Sequence, residues 1–199
     1  WSSDVCSSDL TGLPAPYDDD DVSHFYYLSL SLSLSIRPFF SFSRSVDAAC
    51  SDENFSVLCE LLEGDDDLVS LFTDAEGGFT FFAPIDAAFE EVAALFEAAT
   101  PEEAESILAF HLVLGSITPY EALECTVETE MANGTPSRTK CEREDGLVVG
   151  KYQKGGGNRK NNNLPFIILP NNLVCNGIIH AIDAVMLPNK VPEIPGLFD

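Results

Sequence analysis

Between Asp52 and Leu187 the apolar positions keep a helical period in the first half of the chain and a strand-like one in the second. Phe55, Leu58, Leu61 and Leu62 recur at helical spacing behind Asp52 or Asn54 as a cap, with Gly64 as the stop. Leu68, Leu71 and Phe72 predict a short second helix that ends before the Gly77-Gly78 turn. Phe79-Thr80-Phe81-Phe82-Ala83 is rich in β-formers and closes at Pro84, so it reads as a strand. Asp86 is then expected to cap a helix whose Phe89, Val92, Leu95 and Phe96 make one apolar stripe. Thr100-Pro101-Glu102-Glu103 is a capping box with proline at the first helical position, and Thr118-Pro119-Tyr120-Glu121 repeats the arrangement, marking two more helix starts.

The second half alternates. Cys125 to Met131 switches between polar and apolar residues up to Asn133-Gly134, a strong hairpin signal, and the return strand runs to about Glu142. Cys125 and Cys141 are equally far from Asn133, so hairpin pairing sets them opposite and predicts a cross-strand disulfide. Closing a loop of about 15 residues contributes about 3 kcal/mol in the chain-entropy model. Leu147-Val148-Val149 reads as a short strand, Gly155 to Asn163 as a flexible basic loop, and Phe166 to Leu169 and Ile178 to Leu187 as the last strands. Helices feeding a β-rich second half, with one strand placed early, indicate an α+β fold.

Residues 1–46 differ. Trp1 to Leu10 is Ser- and Asp-rich without periodicity and resembles a translated adapter fragment; Leu28 to Ile36 alternates Leu and Ser at low complexity. A signal peptide or its remnant, with Val46-Asp47-Ala48 as the cleavage region, is the alternative reading of this segment. The expected organisation is a low-complexity stretch over 1–46, one domain over 47–190 and a short Pro-rich tail over 191–199. No run reaches the roughly 18 to 20 apolar residues that span a bilayer.

The formal net charge of −23 repels phosphate backbones and excludes nucleic acid as a partner class. Seven of the ten basic residues lie within the 23 positions from Arg138 to Lys160. One face is therefore expected to be less acidic, with Lys154, Arg159 and Lys160 as candidates for docking acidic glycans or acidic protein surfaces. The six cysteines form no CxxC pair and no zinc-like cluster with His, so no metal is expected and disulfides are. Cys50 and Cys59 flank the first helix as a second pair, leaving Cys175 over. Asn54-Phe55-Ser56 and Asn133-Gly134-Thr135 fit the N-glycosylation pattern, and together with the cysteines favour a secretory compartment.

Three segments bear a family likeness. Phe79-Thr80-Phe81-Phe82-Ala83-Pro84-Ile85-Asp86-Ala87-Ala88-Phe89, Leu108-Ala109-Phe110-His111-Leu112-Val113-Leu114-Gly115 and the run Asn176-Gly177-Ile178-Ile179-His180-Ala181-Ile182-Asp183-Ala184-Val185-Met186-Leu187-Pro188 resemble, in order and spacing, the signature segments of the fasciclin domain. The resemblance implies a β-wedge or sandwich packed with several helices. It also implies an extracellular adhesion or matrix role with no general catalytic activity and no cofactor. Phe110 replaces the tyrosine usual beside the histidine, removing a hydroxyl, and Ile85 stands where many members have a polar residue.

Phe110 and His111 have two readings: part of a partner-binding surface, or a buried histidine fixing a helix-to-strand junction. Thr80, Asp86, Asn176, Gly177, His180 and Asp183 are expected to be structural. Asp65-Asp66-Asp67 lacks the spacing of a calcium loop and reads as helix-start acids. No Gly-x-Ser-x-Gly elbow or catalytic pattern flanks a histidine, so hydrolase activity is not expected. The leading expectation is a secreted binding module for extracellular protein or glycan, with weak self-association. The alternative is a small-ligand carrier whose pocket is lined by Phe81, Phe82, Phe89 or Phe110.

Overall fold

The computed structural model describes residues 50, 52–73, 77–161, 163–174 and 176–190. Cys6, Cys175, the Leu-Ser alternation and the Pro-rich tail lie outside the described residues.

The chain enters through a 3₁₀ turn, Glu53–Phe55, capped by Asp52, whose side chain accepts from the Asn54 amide. It leads into α1 (Ser56–Glu63), which buries Leu58 and Leu62. Gly64 ends α1 in a right-handed conformation, its N–H on Glu60 O at 3.2 Å. Asp65 then caps α2 (Asp66–Thr73), with Oδ1 accepting from the amides of Asp67 and Leu68. The acidic triplet thus serves a helix start.

The expected single helix from Asp86 is two short ones, α3 (Asp86–Glu90) and α4 (Ala93–Ala98), with Ile85 and not Asp86 at the first N-cap. The break costs little packing, because Phe89, Val92 and Leu95 still reach the core. The capping box of α5 (Pro101–Ala109) forms, Thr100 accepting from Glu103 N and Glu103 from Thr100 N. Its counterpart at Thr118 does not: only a 3₁₀ turn, Tyr120–Ala122, follows Pro119, and it has no side-chain cap. The Thr118 amide, which the Glu121 side chain would receive in a capping box, is instead bonded to Thr80 Oγ1.

One sheet has the order β2-β1-β7-β6, built from β1 (Phe79–Pro84), β2 (Leu112–Leu114), β6 (Ile167–Val174) and β7 (Gly177–Ile182). β1 runs parallel to β7 from Phe79↔Gly177 to Pro84↔Ile182 and antiparallel to β2. Both central strands are buried at every position, as strands covered on two faces should be. Period-two alternation sends Phe79, Phe81 and Ala83 into the larger core cluster under the helices, and Phe82 into a second cluster with Phe110, Val113, Leu123, Met131, Ile167, Ile182 and Met186. β6 is an edge strand, which is where Pro170, lacking an N–H, is tolerated; register shifts flank it and Asn171 adopts φ +63°. β7 is shorter than expected, ending at Ile182, yet Ala184 to Leu187 stay buried as irregular chain.

The other sheet is β3 (Glu128–Glu130), β4 (Pro136–Glu144) and β5 (Leu147–Lys154) in that order. The expected strand from Cys125 is reduced to three residues, while β4 and β5 run longer than the pattern suggested. Asp145 and Gly146, both left-handed, close the β4–β5 hairpin. The expected loop over Gly155 to Asn163 contains a helix, α6 (Gly156–Asn161). It is fastened by Gly157 N on Leu187 O and by the buried Asn158 side chain, so local glycine content did not decide its conformation. An isolated bridge, Tyr152↔Phe166, joins the sheets, with the two rings edge-to-face at 4.9 Å.

Candidate functional site

The two histidines of the described chain are both fully buried, and the neighbouring backbone determines what each ring can do. His111 follows the last turn of α5, where Nδ1 donates to Ile107 O at 2.7 Å. Its Nε2 accepts from Met186 N at 2.8 Å, pinning the irregular chain beyond β7 to the α5–β2 junction. Burial lowers its pKa to about 4, outweighing backbone hydrogen bonds that favour the cation. The ring is neutral, with the proton on Nδ1.

His180 is the mirror case. Nε2 donates to Thr118 O at 3.0 Å and Nδ1 accepts from Asn171 N at 3.1 Å. Its ring tilts against Phe82 at 5.5 Å, and burial again lowers its pKa. Asn171 extends the contact: its Oδ1 accepts from Tyr120 N and its amide donates to the Glu121 carboxylate. Lys151 reaches the same turn, donating to Tyr120 O at 2.6 Å with its ammonium 4.6 Å from the Tyr120 ring centroid. The segment after β2 is thereby held by groups from β1, β5, β6 and β7. Lys151, expected on the basic surface, is buried here, and burial lowers its pKa while Glu121 opposes the shift.

The remaining signature side chains join backbone to backbone. Thr80 Oγ1 donates to Ser116 O and accepts from Thr118 N, both at 2.8 Å. Asp86 caps a different helix from the one expected: its carboxylate accepts from the Val57 amide at 2.9 Å and from the Ser56 hydroxyl, closing the start of α1. Asn176 donates to Phe72 O at 2.7 Å while its carbonyl receives Phe79 N. Gly177 leaves room for the Phe79 ring, which a Cβ there would meet at 2.7 Å. Asp183 accepts from Phe166 N at 2.7 Å where β7 ends.

The profile of the family described as the fasciclin domain matches residues 53–188. This chain belongs to the fasciclin domain family. A solved FAS1 domain pair from the insect cell adhesion molecule Fasciclin I is similar in fold, with a TM-score of 0.57 and 19% identity, covering 73% of this chain and 51% of the other. The chain thus spans about half the length of that pair. No curated protein matches it.

Within this fasciclin domain, Phe110 and His111 do not reach the surface, each being 0% exposed. The four phenylalanines named for a pocket divide between the two core clusters, Phe81 and Phe89 in one, Phe82 and Phe110 in the other. Both expected disulfides are present, Cys50–Cys59 and Cys125–Cys141. Cys50, Cys59 and Glu63 bring ligand atoms within 4.8 Å, but the sulfurs are bonded to each other and leave no thiolate pair for a metal.

The exterior of the fasciclin domain is divided by charge. From residue 50 to residue 137 there is no Lys or Arg, and the helices expose Glu60, Glu63, Asp66, Asp67, Glu90, Glu97, Glu102 and Glu103. The small sheet is mixed, exposing Arg138, Lys140 and Arg143 beside Glu128, Glu130, Glu142, Glu144 and Asp145, with Lys154 half-buried and paired across the ladder with Arg138. Arg138 bridges to Glu128. Arg159 and Lys160 lie on α6, five and six residues beyond Lys154. Among the described residues, no helix is long and apolar enough to cross a membrane.

The residues that sequence reasoning missed are Asn158, Asn171 and Lys151. For Asn171 a signal existed, since asparagine after proline on a short strand tolerates the left-handed conformation found there.

Proposed function

We propose that this fasciclin domain is a secreted, non-catalytic adhesion or matrix-binding module that recognises extracellular protein or glycan through its exterior. The observation that carries the reading is the family match over residues 53–188. Two disulfides are consistent with an oxidising compartment. The state of the histidines supports a role outside catalysis. A general base needs a ring nitrogen within reach of a substrate proton, whereas all four nitrogens of His111 and His180 are engaged with the backbone of this chain.

Recognition then falls to the exterior, and the mixed-charge small sheet with α6, which holds most of the basic residues, is the region distinct from the uniformly acidic helices. Lys154, Arg159 and Lys160 are the residues assigned to it. The test is binding of the purified chain to immobilised matrix glycans and proteins at rising salt, with and without Arg159→Glu and Lys160→Glu. Binding that weakens with salt and with charge reversal is expected; absence of binding at every salt concentration would contradict the reading. Generic ester and glycoside substrates are expected to remain unhydrolysed in the same preparation.

A further inference from the structure

The sequence carries two Asn-x-Ser/Thr triplets, and their surroundings differ in the one atom that matters. A glycan is attached at the side-chain Nδ2, replacing one hydrogen and projecting a bulky polar group outward. We propose that the folded domain carries an N-linked glycan on Asn54 and none on Asn133. The proposal rests on the secretory reading above, because that is the compartment in which the triplet is modified.

Asn133 is a joint between two elements. Its Nδ2 donates to Ser106 O at 3.0 Å and lies 3.5 Å from Ser106 Oγ, so the nitrogen is engaged by α5. Its Oδ1 accepts from the amide and hydroxyl of Thr135 at 3.0 and 2.8 Å, shaping the β3–β4 turn. Next to it, Ala132 packs on the main core and donates its N–H to Leu112 O at 2.7 Å. A sugar on this nitrogen pushes the hairpin away from the helix and strand it is docked on.

Asn54 sits on the exposed entry turn to α1. Its Nδ2 contacts Asp52 Oδ1 at 2.8 Å, and that same oxygen accepts the Asn54 backbone N–H at 2.9 Å. The cap therefore survives modification of the amide. Phe55 is buried and holds the turn in place, so the Asn54 side chain stays on the surface at the start of the helix. A glycan there extends into solvent without displacing a contact between elements.

The experiment expresses the full chain behind a secretion leader in a eukaryotic host that glycosylates asparagine, with Asn54→Gln and Asn133→Gln alongside. Protein from the medium is treated with peptide N-glycosidase, and the peptides holding the two triplets are weighed. The expected result is one mobility shift in the parent chain, absent from Asn54→Gln and retained by Asn133→Gln. Asn133→Gln is also expected to lower Tm, while Asn54→Gln leaves it unchanged. A glycan on the Asn133 peptide, or an unmodified Asn54 peptide from folded, disulfide-bonded protein in the medium, overturns the assignment and leaves the secretory reading standing. A chain that never reaches the medium with its disulfides formed contradicts that reading and the assignment with it. Peptide masses of the parent chain decide the matter even if Asn133→Gln fails to fold.

Discussion

The two sheets of this domain solve the same problem with different materials. The four-stranded sheet has central strands, β1 and β7, buried at all twelve positions and apolar but for Thr80 and His180. The three-stranded sheet turns a polar face inward: Ser137, Thr139, Lys151 and Gln153 are all buried. Thr139 donates to Gln153 at 2.8 Å, Ser137 to the Lys154 carbonyl and Lys151 to Tyr120 O. Among the described residues, Gln153 Nε2 finds no hydrogen-bond partner. Burying polar groups yields little net stabilisation even when they are paired, and the smaller sheet has a disulfide, Cys125–Cys141, tying the turn before β3 to β4. The difference teaches that one sheet holds the fold together, while the other is held to it and is freer to carry surface charge.

That contrast can be broken at several strengths. Phe81→Ala removes a fully buried ring between helices and sheet, edge-to-face with Phe72 at 4.9 Å. It is expected to destabilise the whole domain by about 3–5 kcal/mol, seen as a drop in Tm and in the denaturant midpoint. Replacing Cys125 and Cys141 together with Ser should cost about 3 kcal/mol. Native-state hydrogen exchange should place the lost protection in β3 and β4, leaving β1 and β7 as the last to open. Loss of protection spread evenly over both sheets would count against the division. Least of all, Glu128→Gln breaks the exposed pair with Arg138 and is expected to shift stability by less than about 1 kcal/mol.

The apolar sheet was also the more legible one. Continuous β-formers from Phe79 to Ala83 and the Asn-Gly before Ile178 located both central strands, because burial on two faces leaves a pattern that depends on no partner. The Cys125–Cys141 pair was readable for a similar reason: equal spacing about a turn is a local fact. What escaped were outcomes set by distant groups. α6 forms in a glycine- and asparagine-rich stretch because Asn158 donates to Val185 O and accepts from Leu187 N, 27 and 29 residues away. The second capping box fails because Thr80 takes the Thr118 amide from 38 residues away. Asp86 is engaged by α1, and no spacing rule within its own helix would reveal that. Asp145-Gly146 is itself a two-residue hairpin signal, set between longer patterns. At the candidate site, the burial of His111 and His180 was foreseeable from their apolar neighbours, while their ring partners were not.

The account depends most on those rings being neutral pins. Burial places the folded pKa of His111 at about 4, below the ordinary 6.5. The unfolded chain therefore binds the extra proton first as pH falls. Stability contributed by the neutral ring is complete above about 6.5 and declines toward pH 4 by about 1.4 kcal/mol per pH unit for this group; His180 acts in the same direction. Nitrogen NMR of the histidine rings in the folded protein tests this directly. The account predicts that at pH 5.5 His111 is uncharged with its proton on Nδ1, and that His180, protonated on Nε2 when neutral, titrates below the ordinary histidine range. Rings that instead titrate near pH 6.5 with solvent-like shifts would contradict it.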